Sequence, residues 1–194
     1  MVAAVACDEK SASRLFSLGV KDCKIVSDKD VLKMKDEICS AALAVSVLAL
    51  TPKMYNYRYN QLKAAGQNLN HLLSSGHAAA LTGVIGKCPG CGYALVDRFA
   101  VHNDITQRIH AKYPAVKVVQ MPKAEADIAV AAASVLARAE FLRIMTELEA
   151  QAGMPLSKGG SDAATNCARM IAEKFGKESL ANFVKLHFAN YKRI

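Results

Sequence analysis

Short apolar runs alternate along the chain with longer segments whose apolar positions return every third or fourth residue, the periods of strands and helices. "MVAAVAC" opens as a strand already under way at its first residue, since no polar or turn-forming residue precedes it. "SASRLFSLG" predicts a short capped helix ending at Gly19, and "SDKDVLKMKDEICSAAL" a second one capped by Ser27 or Asp28. "AVSVLALTP" is β-rich and stops at Pro52. "KMYNYRYNQLKAAG" and "NLNHLLSSGHAAALTGVIG" predict two helices, divided near residues 66–68.

After "KCPGCG" the run "YALVDRF" predicts a strand, followed by a helix over residues 103–112 and by the strand "AVKVVQMP", closed by a proline. The longest helix is expected over residues 127–151, with Ile128, Ala132, Val135, Ala139, Leu142 and Met145 on one stripe. Its start, "AVAAAS", is nearly all small, so its backbone can approach a strand closely. "SDAATNCARMIAEKFG" and "KESLANFVKLHFANY" predict two C-terminal helices. Strands alternating with helices make the class α/β. Neither a repeat nor a low-complexity tract nor a linker interrupts the pattern.

Composition narrows this little. The 194 residues suit one buried domain, and 52% hydrophobic with 22% charged residues argues against disorder. Lys and Arg exceed Asp and Glu by 25 to 17, a net +8, which leans toward a polyanionic partner such as nucleic acid. Six scattered cysteines without a secretory leader suggest reduced thiols and a cytoplasmic protein, and no apolar run reaches the roughly 18 to 20 residues that cross a bilayer. Cys88 and Cys91 have the spacing of half a zinc site, but no second pair follows, so a reduced turn is the favoured reading.

The charge that stands out is Asp97, at the end of the apolar "YALV". An aspartate there emerges at the rim of a sheet, where open α/β folds bind ligands; it could equally cap a turn. "PKAEADIAV" sets Glu125 and Asp127 just ahead of the long helix. Asp127 is the better N-cap, which leaves Glu125 for a ligand role. Hard divalent ions require several oxygen ligands, and Asp97 with Glu125 alone is thin for that task.

The order and spacing of "GVKDCKIVSDKDVL", "NLNHLLSSGHAAAL", "ALVDRFA", "KAEADIAVAAASVLARAEFL", "LSKGGS" and "KLHFAN" resemble ribonuclease HIII, a type 2 ribonuclease H that cuts the RNA strand of RNA/DNA hybrids. "AVAAASVLAR" is shared with the sister ribonuclease HII, whereas "VDRF" and "KLHF" favour HIII. The resemblance implies a ribonuclease H-like mixed sheet flanked by helices, with a C-terminal helical segment, in a single domain over residues 1–194. It implies Mg²⁺ or Mn²⁺ as cofactor, with Asp97 as the third metal-binding carboxylate of the family and Glu125 as the fourth, Asp127 standing in reserve. It also implies an RNA/DNA hybrid as partner. A monomer is expected, and no protein partner can be inferred.

The family places its first two carboxylates, an Asp-Glu pair before a Gly-rich turn, on a strand ahead of the one that begins here. That first central strand is therefore expected to be missing and the domain incomplete at its N-terminus, with little or no cleavage by this polypeptide alone. Asp8-Glu9 has the right letters but follows its strand, which displaces it by roughly 17 to 20 Å, so an exposed turn is expected. Lys24, Lys158 and Ser161 are candidate phosphate contacts, and Asn68 and Asn70, with His71 and His77, candidate sugar or phosphate contacts. Asn68 could instead cap its helix. The sequence departs from the family at Cys23, Ile25, Ser157 and Gly160. Two other readings remain: a non-catalytic nucleic-acid-binding remnant, and ribonuclease HII.

Overall fold

A computed structural model of the chain describes residues 1–21, 23–101 and 104–194, without the side chains of 192 and 193. Its contacts divide into two compact units: residues 1–49 with 69–141, and residues 50–68 with 142–194.

In the first unit, β1 (Val2–Ala6) pairs antiparallel with β2 (Ala44–Leu48), Ala4 facing Ser46. Helices α1 (Glu9–Ser17) and α2 (Asp28–Ala41) connect them. Asp8 is exposed and caps α1 in a reciprocal box with Ser11, whose hydroxyl and amide hold the Asp8 carboxyl below its ordinary range. The helix thus starts at Glu9, two residues before the predicted Ser11, because Asp8 offers the N-terminal amides an acceptor. Ser27 caps α2 by accepting from the Asp30 amide.

Helix α3 (Pro52–Ala64) belongs to the second unit. The proline that ends the β-rich run also starts this helix, from its first turn, with Thr51 as cap. Helix α4 (Leu69–Ile85) returns to the first unit and packs Ala80 and Val84 against Ala4 and Ala44. Strand β3 (Tyr93–Asp97) follows, then α5 (Ile105–His110) and β4 (Lys117–Met121), which pairs parallel with β3. Ala94, Val96, Ile105, Ile109 and Val116 close a core with Ala78 and Ile85 of α4. Asn103, where the sequence starts α5, lies outside the described residues. The strands are therefore of mixed sense, as expected, and among the described residues they form two separate two-stranded sheets.

Helix α6 (Ile128–Ala152) matches the longest predicted helix within one residue at each end, and Ala132, Val135 and Ala139 of the predicted stripe are at most 1% exposed. Helix α7 (Asp162–Phe175) buries Ala168 and Ile171 against Leu180. The expected last helix is broken: α8 covers only Leu180–Phe183, and Val184 is extended. Buried Asn56 of α3 supplies the reason. Its amide donates to the Ala181 and Val184 carbonyls at 3.0 and 2.8 Å, and its oxygen accepts from the Leu186 amide at 3.0 Å. A side chain thereby replaces the helical hydrogen bonds that the local sequence would otherwise form.

Candidate functional site

Asp97 is the last residue of β3, and its exposed carboxylate projects past the strand. Its Oδ1 accepts a hydrogen bond from the Ala124 amide at 3.3 Å, and no ion pair to Asp97 occurs among the described residues. Ala124 begins a 3-10 turn, Ala124–Ala126, that presents Glu125. The chain reaches this turn through Pro122 and then Lys123, whose φ of 57° lies in the left-handed region and costs an L-residue roughly 1 to 2 kcal/mol. That reversal brings Glu125 next to the residue Asp97 holds.

Asp127 behaves as the sequence suggests for a cap: its Oδ1 accepts from the Ala129 and Val130 amides at 2.9 and 3.3 Å, satisfying the first turn of α6. Glu125 is only part-exposed, and its Oε1 lies 3.2 Å from Lys24 Nζ. The Lys24 side chain is 72% exposed, so the ion pair contributes little to stability and sets an exposed base beside Glu125.

Asp97, Glu125, Asp127 and Lys24 all line one cavity of about 1010 Å³ in the first unit, together with Asp8 and Glu9. Cys7 lies on the same wall; burial chiefly pushes its thiol up, and Asp127 and Asp8 add to the effect. Asn70, exposed in the first turn of α4, is not among the lining residues. Asn68, Lys158 and Ser161 belong to the second unit. Asn68 immediately precedes α4, Lys158 is exposed in a loop, and Ser161 caps α7 by accepting from the Ala164 amide at 3.3 Å. Gly159, with φ of 81°, gives the "SKGGS" turn a conformation that disfavours side chains.

Two residues have roles the sequence reading did not assign. Arg138, on α6, reaches the 23–28 segment: Nε and Nη2 bind Asp28 Oδ1, and Nη1 binds the Cys23 and Val26 carbonyls. It thereby holds the backbone on which Lys24 rides. The available signal was an arginine inside an otherwise apolar helical run. His77, on α4, stacks on Phe99 at 5.1 Å just past the end of β3. Burial lowers the His77 pKa from its ordinary 6.5, with Asp97 opposing the shift and the N-terminal amine reinforcing it.

A histidine depressed in the fold binds fewer protons there than in the unfolded chain. Its contribution to stability is full above pH 6.5 and declines as pH falls toward its lower folded value. In metal-free buffer, urea unfolding of His77→Phe should therefore show a shallower loss of stability from pH 7 to 5 than the parent, a range spanning the histidine pKa of about 6.5. An unchanged slope would remove His77 as the cause.

Among the described residues no group of three or more His, Cys, Asp or Glu side chains stands close enough to hold a metal ion. Asp97 and Glu125 are the right donors for a hard divalent cation, but two carboxylates make only part of such a site. At Cys88 and Cys91 both thiols are free, and Cys91 donates to the Tyr93 carbonyl at 3.4 Å.

The family model described as ribonuclease HII matches residues 1–191. The protein named ribonuclease HIII of Protochlamydia amoebophila is 35% identical over 187 residues, covering 96% of this chain and 60% of that protein. That of Bacillus cereus is 34% identical over 198 residues, covering 99% and 62%. Among solved structures, Bst-RNase HIII in complex with Mn²⁺ superposes with a TM-score of 0.85 at 27% identity, over 98% of this chain and 62% of that one. The ribonuclease H2 from Pyrococcus horikoshii shares the fold, with a TM-score of 0.77 at 22% identity, over 99% of this chain and 91% of that one. The chain spans about 60% of the length of the first of these curated relatives.

Proposed function

Because the chain belongs to the ribonuclease HII family, we propose that it acts on RNA/DNA hybrids as one ribonuclease H-like catalytic domain, with hydrolysis of the RNA strand as the reaction its site is built for. The observation that carries this reading is the hydrogen bond from the Ala124 amide to Asp97, which sets the Asp97 and Glu125 carboxylates on one rim although they are far apart in sequence. Mg²⁺ or Mn²⁺ would be held by Asp97 and Glu125, with Asp127 in reserve; bound there, the ion supplies Lewis-acid stabilisation of charge on a phosphodiester. Asp127 already spends one oxygen on the α6 amides, so it serves the ion less well than Glu125.

Two carboxylates leave a divalent ion mostly water-bound and weakly held. The 194-residue polypeptide on its own therefore cleaves little or not at all. Lys24, Lys158 and Ser161 are proposed to meet phosphates, and Asn68 and Asn70 the sugar edges, in a monomer working in the cytoplasm. Phosphate contacts fix position and weaken steeply with salt, while amides can sense the 2′-hydroxyl.

The test uses the purified chain with an end-labelled RNA/DNA hybrid, in Mg²⁺ and in Mn²⁺. Salt-dependent hybrid binding, tighter than binding of duplex DNA, is expected, with cleavage near background. Asp97→Asn should lose the part of the binding that the divalent ion adds. Rapid cleavage would contradict the incomplete site. Binding that ignores both the ion and Asp97→Asn would favour a non-catalytic nucleic-acid binder. Cutting at a single embedded ribonucleotide as readily as in a long hybrid would favour the substrate preference of ribonuclease HII.

A further inference from the structure

Helix α4 ends at Ile85, and the chain reaches β3 through Cys88-Pro89-Gly90-Cys91, a segment for which the nuclease reading has no use. The Cys91 amide donates to the Cys88 carbonyl at 2.9 Å, closing a β-turn with one cysteine at each end. Such a turn holds its end Cα atoms within about 7 Å, and a disulfide spans Cα separations of roughly 4.4 to 6.8 Å. The backbone thus already sets the two cysteines at about the separation a disulfide requires. Pro89, at the second position, fixes one φ of the turn before any bond forms.

Packing restrains both ends. Cys88 rests on the cluster of Ala4, Ala44, Ala80 and Val84, and Cys91 on that of Ala78, Ala94 and Val96. Both cysteines are only half-buried, Pro89 and Gly90 between them are exposed, and Gly90 has open space around it, so a small solute can reach the sulfurs. The Cys91 thiol donates to the Tyr93 carbonyl at 3.4 Å, and a thiol is a weak donor, so losing that bond costs little.

We propose that Cys88 and Cys91 form a reversible dithiol–disulfide site, oxidised in place by a low-molecular-weight disulfide such as oxidised glutathione. One cysteine thiolate attacks a sulfur of the small disulfide, and the first small thiolate leaves and takes up a proton. The other cysteine thiolate attacks the mixed disulfide so formed, which makes the Cys88–Cys91 bond and expels the second small thiolate. The pair gives up two electrons and two protons, and the small disulfide becomes two thiols. The second step is intramolecular, so the turn raises the effective concentration of the attacking thiol, whereas an isolated cysteine stops at the mixed disulfide. The pair rests as two thiols where small thiols are in excess and closes as the small disulfide accumulates. Closure pins the end of α4 to the start of β3, at the opposite end of that strand from Asp97.

The test needs neither metal nor nucleic acid, so it stands apart from the nuclease reading. The full chain is equilibrated with reduced and oxidised glutathione over a range of ratios, remaining thiols are blocked with an alkylating reagent, and the peptide holding residues 88–91 is weighed by mass spectrometry. That peptide should escape alkylation, with the loss of two hydrogens, in a mixture about tenfold more reducing than one that modifies Cys7, Cys23, Cys39 or Cys167. A dithiol reductant should restore it. In Cys88→Ser and in Cys91→Ser the remaining cysteine should carry one glutathione; a serine hydroxyl at 91 still donates to Tyr93, so the fold should persist by circular dichroism. In urea, where the turn is lost, closing the same bond should require a severalfold more oxidising mixture. The proposal is overturned if both thiols are still alkylated in excess oxidised glutathione, if each carries glutathione instead of the other, or if either pairs with one of the other four cysteines. Equal ease of oxidation in the folded and the urea-unfolded chain would overturn it as well, because the turn would then contribute nothing.

Discussion

Asn56→Ala lowers the stability of the folded chain by about 3 kcal/mol in urea unfolding, the largest single-residue effect expected here. Asn56 is 7% exposed, and its amide holds two carbonyls and one amide of the 181–186 segment. Truncation leaves those partly buried backbone groups without their partner and opens a small void, and each cost counts against the fold. Asn56→Leu separates the two, since it fills the void but restores no hydrogen bond; most of the loss should remain. Asn56→Asp should be at least as damaging, because a carboxylate cannot donate to the Ala181 and Val184 carbonyls. A loss below about 1 kcal/mol for Asn56→Ala would mean that water replaces the amide freely.

Arg138→Met should cost about 2 kcal/mol and also weaken hybrid binding, the one substitution expected to join stability to function. The guanidinium ties α6 to Asp28 and to the Cys23 and Val26 carbonyls, and methionine retains its apolar stem without its donors. The Arg138 and Asp28 side chains are 30% and 43% exposed, so solvent screens their pairing, and most of the cost comes from the carbonyls. Releasing the 23–28 segment should free Lys24 from its place beside Glu125. Binding should then fall severalfold with a shallower salt dependence, as expected for one lost phosphate contact. Arg138→Lys should recover part of the binding at most, because an ammonium cannot reach three acceptors in one plane. A destabilised variant with unchanged salt dependence would detach Lys24 from the phosphate role.

Much of the fold was legible because its elements are locally consistent. The α6 stripe of Ala132, Val135 and Ala139 obeys the helical period and is buried as the pattern predicts. Asp127 was readable as a cap because capping is decided within a few residues. Long-range features were not readable. The break after Phe183 depends on Asn56, more than a hundred residues earlier, and the partners of Arg138 lie on another helix and its approach. The left-handed Lys123, which turns Glu125 toward Asp97, leaves no compositional trace where glycine would be expected. The separation into two sheets agrees with the missing first central strand expected from the resemblance; composition and periodicity alone did not reveal it, since β1 and β3 read the same whether or not a strand lies between them.

Under the proposed function, the acids at the end of β3 and on the Ala124–Ala126 turn, Asp97 and Glu125, bind one divalent cation together. Mn²⁺ titrated into the isotopically labelled chain, with amide relaxation measured by NMR, tests it most directly. Paramagnetic broadening should begin at Asp97, Ala124 and Glu125 at the lowest Mn²⁺ concentrations and shift to weaker sites in Asp97→Asn. Broadening that starts instead around Asp8 and Glu9 or along α2, with residues 97 and 125 untouched, would rule out a shared cation at Asp97 and Glu125.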